Sequence, residues 1–479
     1  MEILYAYIYI LFTYIFSGTV LFLLTIRFIP SYKYYKYYKV FYILFLGMGP
    51  MTIAWFLENI MYFMHGFSKQ FYIAIIFLIF MLPLLYILKY SKLTYKKYII
   101  LIRQYSKLEI IVALLLLLIL SSIILLPVIG NDTSQYYYVS QNVFIEKDFH
   151  FYPLIKNGMY KGYFPWTHPA GYISLLTWGY FFSHGLEHLY LLKTINVFYA
   201  FLTYILMVEL LKNYADLYAK TVALLIFMSP LYCMLIPLFH IDIFRIFLFL
   251  TTFVFLKVLL EVKDKKLLYI IAISLASSAY AHSIGILSIF FVGTIILIYS
   301  RNLLTVKNVA ITILILSMVL VSRYYQNYQI FGYIIGDKSP IWSLDFIHYD
   351  EFLATSRHLD SYYNIIVNGI FRGFSSSNSF AYTFPYLVIV TILITVRDKI
   401  TKKDFFNTLK SLFQDDKMFK ISLFVLTLWY LLTILSTILG GYSFIKNDRY
   451  VLTIYPFIIY MSAILTLELI IKQKKKVNA

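Results

Sequence analysis

The sequence predicts an all-α polytopic membrane protein, and three observations carry that prediction. Hydrophobic residues make up 61% of the 479 and charged residues only 13%, with a mean hydropathy of +0.77, outside the range of soluble domains. The segments 110–129 and 284–298 are long and almost uncharged, and the first alone is long enough to cross a bilayer as a helix. The basic residues are also concentrated in alternate connections rather than spread along the chain.

Apolar runs place spans near 4–26, 40–63, 71–88, 108–130, 188–211, 217–239, 243–262, 267–282, 284–300, 306–322, 381–396, 419–439 and 450–471, about 13 in all. The first run lacks a basic leader and a small-residue cleavage site, so it reads as a retained span. Strict alternation puts loops 27–39, 89–107, 212–216, 263–266, 301–305, 397–418 and 472–479 on one side. With their flanking span ends they hold roughly 29 of the 41 Lys and Arg, which the positive-inside rule makes cytoplasmic. The net charge of +18 is therefore an orientation signal, and no nucleic-acid partner is expected. The partner is the lipid bilayer. The N-terminus and segments 131–187 and 323–380 face outward, and the C-terminus is cytoplasmic.

The chain divides by this reading into an N-terminal three-helix membrane extension (1–107), a membrane core with its outer loop 131–187 (108–322), a second outer loop (323–380) and C-terminal membrane helices (381–479). Pro169–Phe182 is apolar and aromatic, but a crossing there would put Lys263–Lys266 outside. It is expected instead as an interfacial helix, with Tyr172, Trp178 and Tyr180 at headgroup depth. The single cysteine, Cys233, excludes a disulfide framework or a cysteine metal site. His184 and His188 are four apart, but Gly185 interrupts any shared helix face, so no metal or other cofactor is predicted and a divalent ion is left open.

Ionisable residues at the edge of an apolar bundle are functional candidates. Asp132 follows the fourth span directly. Asp242 lies in HIDIF between an outgoing and a returning span, with Arg245 one helical turn on. His282 interrupts two short spans, and Lys446, Asp448 and Arg449 form the outer entrance of the last one. Separate loops thus bring carboxylates and cations to one membrane surface. Such a set suits chemistry on a lipid phosphate: a carboxylate accepts the proton of an attacking group, and cations hold the phosphate as it leaves. The tyrosine-rich outer segment supplies stacking surfaces for a sugar.

In this order the motifs resemble the GT-C polyprenyl-phosphate-sugar glycosyltransferases, in the branch with protein O-mannosyltransferases and lipid A aminoarabinose transferases. Asn131-Asp132-Thr133-Ser134-Gln135-Tyr136 stands where that branch has x-Asp-Glu-x-x-Tyr. His168-Pro169-Ala170-Gly171-Tyr172 stands where it has Lys-Pro-x-x-Gly-Tyr or Pro-Pro-Leu-Tyr. His240-Ile241-Asp242-Ile243-Phe244 resembles the second acidic motif, and Tyr280 to Gly285 the Thr-Lys-Gly turn. Asp448-Arg449-Tyr450 through Tyr455-Pro456 resembles the closing motif. The likeness covers 108–300 and 440–471.

The resemblance implies a GT-C-like bundle and inverting transfer of a sugar from a polyprenyl-phosphate-linked donor to a lipid, glycan or protein acceptor at the outer face of the cytoplasmic membrane. It makes Asp132 the general base and Asp242 a second catalytic carboxylate. His168, Arg245, Lys446 and Arg449 would hold the donor phosphate, and Tyr136, Tyr172 and His282 the substrate. Thr133 replaces the branch's second acid, and His168 replaces a lysine. A flippase or transporter of lipid-linked sugars and a non-catalytic subunit of a glycan-assembly complex are the alternative classes. Transporters carry paired repeats and midplane charges, and this chain shows neither in its sequence.

Overall fold

The computed structural model describes residues 2–29, 34–90, 107–122, 131–149, 170–183, 190–213, 216–238, 240–282, 284–331, 402–438 and 452–477. These residues are almost entirely helical, and no strand occurs among them. The chain opens with α1 (Glu2–Ile10), a π-helical turn (Leu11–Phe16) and α2 (Ser17–Phe28), followed by α3 (Tyr38–Phe63) and α4 (Lys69–Tyr90). Next come α5 (Lys107–Ser122), α6 (Asn131–Glu146), α7 (Gly171–Phe182) and α8 (Tyr190–Leu211). A broken stretch holds α9 (Asp216–Ala223) and α10 (Pro230–Leu235). The helices α11 (Ile241–Val262), α12 (Lys266–Ala281), α13 (Gly285–Tyr299) and α14 (Val306–Phe331) follow. The last described elements are α15 (Lys402–Asp415), α16 (Lys417–Ile438) and α17 (Tyr455–Val477).

Among the described residues six stretches are long and apolar enough to cross a membrane: Leu4–Phe28, Tyr35–Phe63, Lys69–Lys89, Tyr190–Leu211, Ile241–Val262 and Leu452–Ile471. The apolar helices α12 and α13 are shorter. The protein is thus a helical membrane protein, and burial separates its inner from its outer spans. The most apolar stretch of α11 is 94% buried within the protein and that of α4 only 22%, so α11 is the most enclosed span and α4 leaves most of its surface uncovered by the described residues. The sequence of α11 explains this: it is apolar on every face, with no polar stripe to turn outward. Around it pack α3, α8, α12, α13 and α16. Helices α2 and α3 cross so closely that a Cβ on Gly49 would sit 2.4 Å from the Gly18 amide nitrogen, a backbone approach only small residues permit. Helix α3 packs in turn on α7, α8 and α11, so the N-terminal helices share one hydrophobic core with the later ones.

Three segments differ from the sequence expectation. The stretch 217–239 is not one continuous helix, because Pro230 has no N–H to continue the ladder and Ser229 caps a new helix through Tyr232 N. The polar segment from Asn131 folds as a helix rather than a loop: Tyr136, Val139, Ser140 and Val143 are buried at three- and four-residue spacing. Its low hydropathy hid that single apolar stripe.

The helix α7 has no face open to a membrane interface. All of its residues are buried, Tyr172, Trp178 and Tyr180 included, between α3 and α6. It has no polar face to offer headgroups, since Ser174 and Thr177 bond back to the carbonyls of Ala170 and Ile173. Trp178 donates to Thr13 in the π-helical turn at 2.9 Å, so protein, not headgroup, satisfies its indole.

Polar side chains gather at both ends of α11. At its C-terminal end Glu261 accepts from Tyr37 and pairs with Lys257 at 3.0 Å, and nearby Lys39 pairs with Glu209. Asp242 lies nineteen residues before Glu261, roughly 28 Å at 1.5 Å per residue, close to a bilayer's hydrocarbon thickness.

Candidate functional site

The N-terminal end of α11 emerges from an irregular run, and its carbonyls need donors because no helix satisfies them. Asn196 of α8 supplies these: its Nδ2 lies 3.2, 2.5 and 3.1 Å from the carbonyls of Leu235, Leu238 and His240. Its Oδ1 accepts from the Tyr172 hydroxyl at 3.3 Å. One amide thereby fixes the approach to α11 and ties it to α7.

His240 is the N-cap, in extended conformation, and its ring reaches the Asp242 amide. Asp242 stands in the first helical turn, where the helix dipole favours a carboxylate. It lies between two partners: Arg245 Nη2 is 2.6 Å from Oδ1, and His240 Nδ1 is 2.7 Å from Oδ2. Asp242 is 1% exposed, Arg245 0% and His240 5%, so this is an ion-pair array enclosed in protein. Buried pairs recover little net stability after desolvation, which makes a purely structural role a weak account of it.

His282 joins the array from α12. That helix ends at Ala281, and His282 turns extended (φ −158°, ψ 145°) so that its Nε2 lies 3.4 Å from Arg245 Nη1. Its Nδ1 accepts the Ile284 amide at 3.0 Å. A neutral imidazole accepting at Nδ1 carries its proton on Nε2. Guanidinium and imidazole thus meet at 3.4 Å inside the buried array, a pairing whose donor and acceptor depend on the ring tautomer.

Aromatic rings wall this centre. Tyr136 of α6 meets the His240 ring edge-on at 6.1 Å and the Tyr172 ring at 5.6 Å. Tyr172 packs on Phe244 at 5.6 Å. Burial pushes the Tyr172 hydroxyl well above the ordinary phenol range, so it stays a hydrogen-bond donor at any working pH. Gly171 permits this contact: a Cβ there would lie 2.6 Å from the Tyr280 carbonyl oxygen. Tyr280 in turn donates to Glu58 of α3, which is fully buried.

Of the residues singled out in the sequence, Tyr136, Tyr172, Asp242, Arg245 and His282 come together from four separate segments. Asp132 lies in the first turn of α6, one turn before Tyr136. His168, Lys446 and Arg449 lie outside the described residues, as do His184 and His188. Among the described residues no group of three His, Cys, Asp or Glu is arranged to hold a metal ion.

Sequence reasoning missed His240, Asn196, Glu58 and Tyr280. A signal existed for Glu58 and Asn196, since both are polar residues within long apolar spans. His240 was within the quoted motif, and only the fold reveals that its ring turns onto Asp242. No protein-family model, curated protein or solved structure matches the chain.

Proposed function

We propose that this protein is an inverting membrane glycosyltransferase that moves a sugar from a polyprenyl-phosphate donor to an acceptor at the outer face of the cytoplasmic membrane. The observation that carries the reading is the cluster of Arg245, His282 and Asp242, buried at the start of α11 beside Tyr136 and Tyr172. A buried guanidinium and imidazole are groups that suit a phosphate oxygen, and tyrosine rings suit a sugar face. The lysine-rich end of the bundle, with Lys36, Lys39 and Lys257, lies at the far end of α11. By the positive-inside rule that end is cytoplasmic and the site faces outward.

In this reading the chain is a GT-C-like bundle of about 13 spans. Asp132 removes the acceptor proton, and Asp242 orients the cations of the site. His168, Lys446 and Arg449 join Arg245 in holding the lipid phosphate, and His282 contacts the substrate with the two tyrosines. The attacking oxygen bonds to the anomeric carbon as the carbon–oxygen bond to phosphate breaks.

The test is incubation of purified protein with a radiolabelled polyprenyl-phosphate sugar. Release of polyprenyl phosphate with label appearing on an acceptor is expected. Movement of intact donor across vesicles without bond cleavage would instead identify a transporter. An inert protein that co-purifies with a glycan-assembly complex would be a non-catalytic subunit.

A further inference from the structure

The connection 397–418, which the sequence reads as a loop at the basic end of the bundle, carries the helix α15. Its sequence, KKDFFNTLKSLFQD, is amphipathic. Phe405, Phe406, Leu409, Leu412 and Phe413 recur at three- and four-residue spacing and so share one side of the helix. Asn407, Lys410, Ser411 and Gln414 recur on the other side, and all four are exposed.

The apolar side is wider than the part of it that protein covers. Helix α15 packs on α16 and α17, and there Thr408 and Leu412 are buried. Leu409, Phe413 and Phe406 lie about 60°, 100° and 120° round from Leu412 in one direction. Exposure rises with that angle: Leu409 and Phe413 are half-buried, and Phe406 is 64% exposed. The helix therefore has three sides, one against protein, one polar and one apolar but uncovered.

What meets the uncovered side follows from its depth. Only Asp416 separates α15 from α16. Its amide donates back to the Leu412 carbonyl at 3.0 Å, and its carboxylate caps α16 by accepting the Phe419 amide at 2.9 Å. Helix α16 is apolar from Ile421 onward, and its Trp429 meets Phe249 of α11 at 6.4 Å. Thirteen residues separate Trp429 from Asp416, and thirteen separate Phe249 from Val262. At 1.5 Å per residue both paths cover about 20 Å, which puts Asp416 level with the C-terminal end of α11. Tyr299, the last residue of α13, agrees: Phe424 packs on it at 5.7 Å and Lys420 Nζ stands 4.9 Å over its ring. Lys36, Lys257, Arg301 and Lys417 stand at this same end, the level at which basic side chains meet lipid phosphates.

We propose that α15 is a membrane-surface anchor, seated at the boundary between headgroups and acyl chains with Phe406, Leu409 and Phe413 turned into lipid. Its partner is the bilayer itself, and the assignment does not depend on the chemistry proposed above. An amphipathic helix of this kind buries its apolar face roughly 5–10 Å into that boundary. Lys410, four residues after Phe406, lies at the rim of the apolar side, where its long stem reaches the phosphates. The break at Asp416 lets α15 leave the axis of α16. Continued along that axis, the ten residues from Asp416 to Phe406 would carry the phenyl ring about 15 Å out into water. Lying along the surface, α15 braces α16 and α17 where they meet the headgroups.

Fluorescence quenching in vesicles tests the anchor. The full chain with Cys233→Ser, which keeps a donor for the Phe227 carbonyl, is the parent. Phe406→Cys, Asn407→Cys and Gln414→Cys are each labelled with bimane and reconstituted into phosphatidylcholine vesicles. All three positions are exposed, so thermal midpoints should match the parent. Acyl-brominated phosphatidylcholine should quench the label at 406 several-fold more than those at 407 and 414. Iodide on both sides of the vesicle should reverse that order. Iodide quenching at 406 equal to that at 414 would show α15 projecting into water and overturn the proposal. A label at 406 that neither quencher reaches would also overturn it, because the apolar side would then be covered by protein, either another segment of this chain or a second copy.

Discussion

Arg245 Nη2 lies 2.6 Å from Asp242 Oδ1, one helical turn earlier on the most enclosed helix of the bundle. Neither side chain reaches solvent. Removing one partner leaves the other charge buried, at a cost of about 3–5 kcal/mol, whereas removing both together costs far less. Asp242→Asn and Arg245→Met should each lower unfolding stability in detergent by roughly that amount. The double variant Asp242→Leu/Arg245→Met should recover most of it and remain inactive. An additive double-variant loss in denaturant titration would show the pair is not coupled.

Asn196 offers a second test, because one side chain serves three carbonyls and a tyrosine. Asn196→Ala should destabilise by about 2 kcal/mol, the cost of buried acceptors left unmet. Asn196→Asp should be worse, since a carboxylate facing carbonyls repels them. Both should lower activity at least tenfold through displacement of His240, while Tyr172→Phe, which removes only the 3.3 Å bond, should be mild. Activity alongside thermal midpoints of the four proteins checks the ranking.

The helical membrane class is legible in the sequence, and the reasons are specific. Helix α11 is recognisable because it is apolar on all faces, and Asp242 and Arg245 because charges at the end of such a run have few bland explanations. Their partners are not legible. The contact between His282 and Arg245 spans 37 positions and depends on where α12 stops. The enclosure of α7 is likewise invisible locally: GYISLLTWGYFF suits lipid and protein equally, and only the packing of α3 and α6 decides between them. The role of Glu58 needs Tyr280, 222 residues away.

That long-range pair yields its own prediction. Glu58→Gln keeps an acceptor for the Tyr280 hydroxyl and should retain near-normal stability and activity. Glu58→Leu removes the acceptor, and Tyr280→Phe removes the donor while leaving the carboxylate enclosed. These two should lose about 1–3 kcal/mol and shift the end of α12, weakening donor binding through His282. Equal behaviour of all three in thermal unfolding and KM would refute a role for the pair in holding His282.

Gly171 tests how closely α7 must approach α12. A methyl group there would meet the Met51 side chain at 2.3 Å and the Tyr280 carbonyl oxygen at 2.6 Å. The methionine can bend away, but the carbonyl belongs to a helix end and cannot. Gly171→Ala should therefore cost about 1–3 kcal/mol and reduce activity more than Gly293→Ala, where a Cβ meets nothing within 4 Å. Matching thermal midpoints for the two variants would contradict the close approach.

Asp132, the proposed base, can be tested on its own. Asp132 opens α6 one turn before Tyr136, whose ring meets His240. If Asp132 takes the acceptor proton, Asp132→Asn removes the base but keeps the residue's size at a helix start where asparagine is well tolerated. Stability and donor binding should then be unchanged and transfer nearly abolished. Full transfer by Asp132→Asn would remove Asp132 as the base.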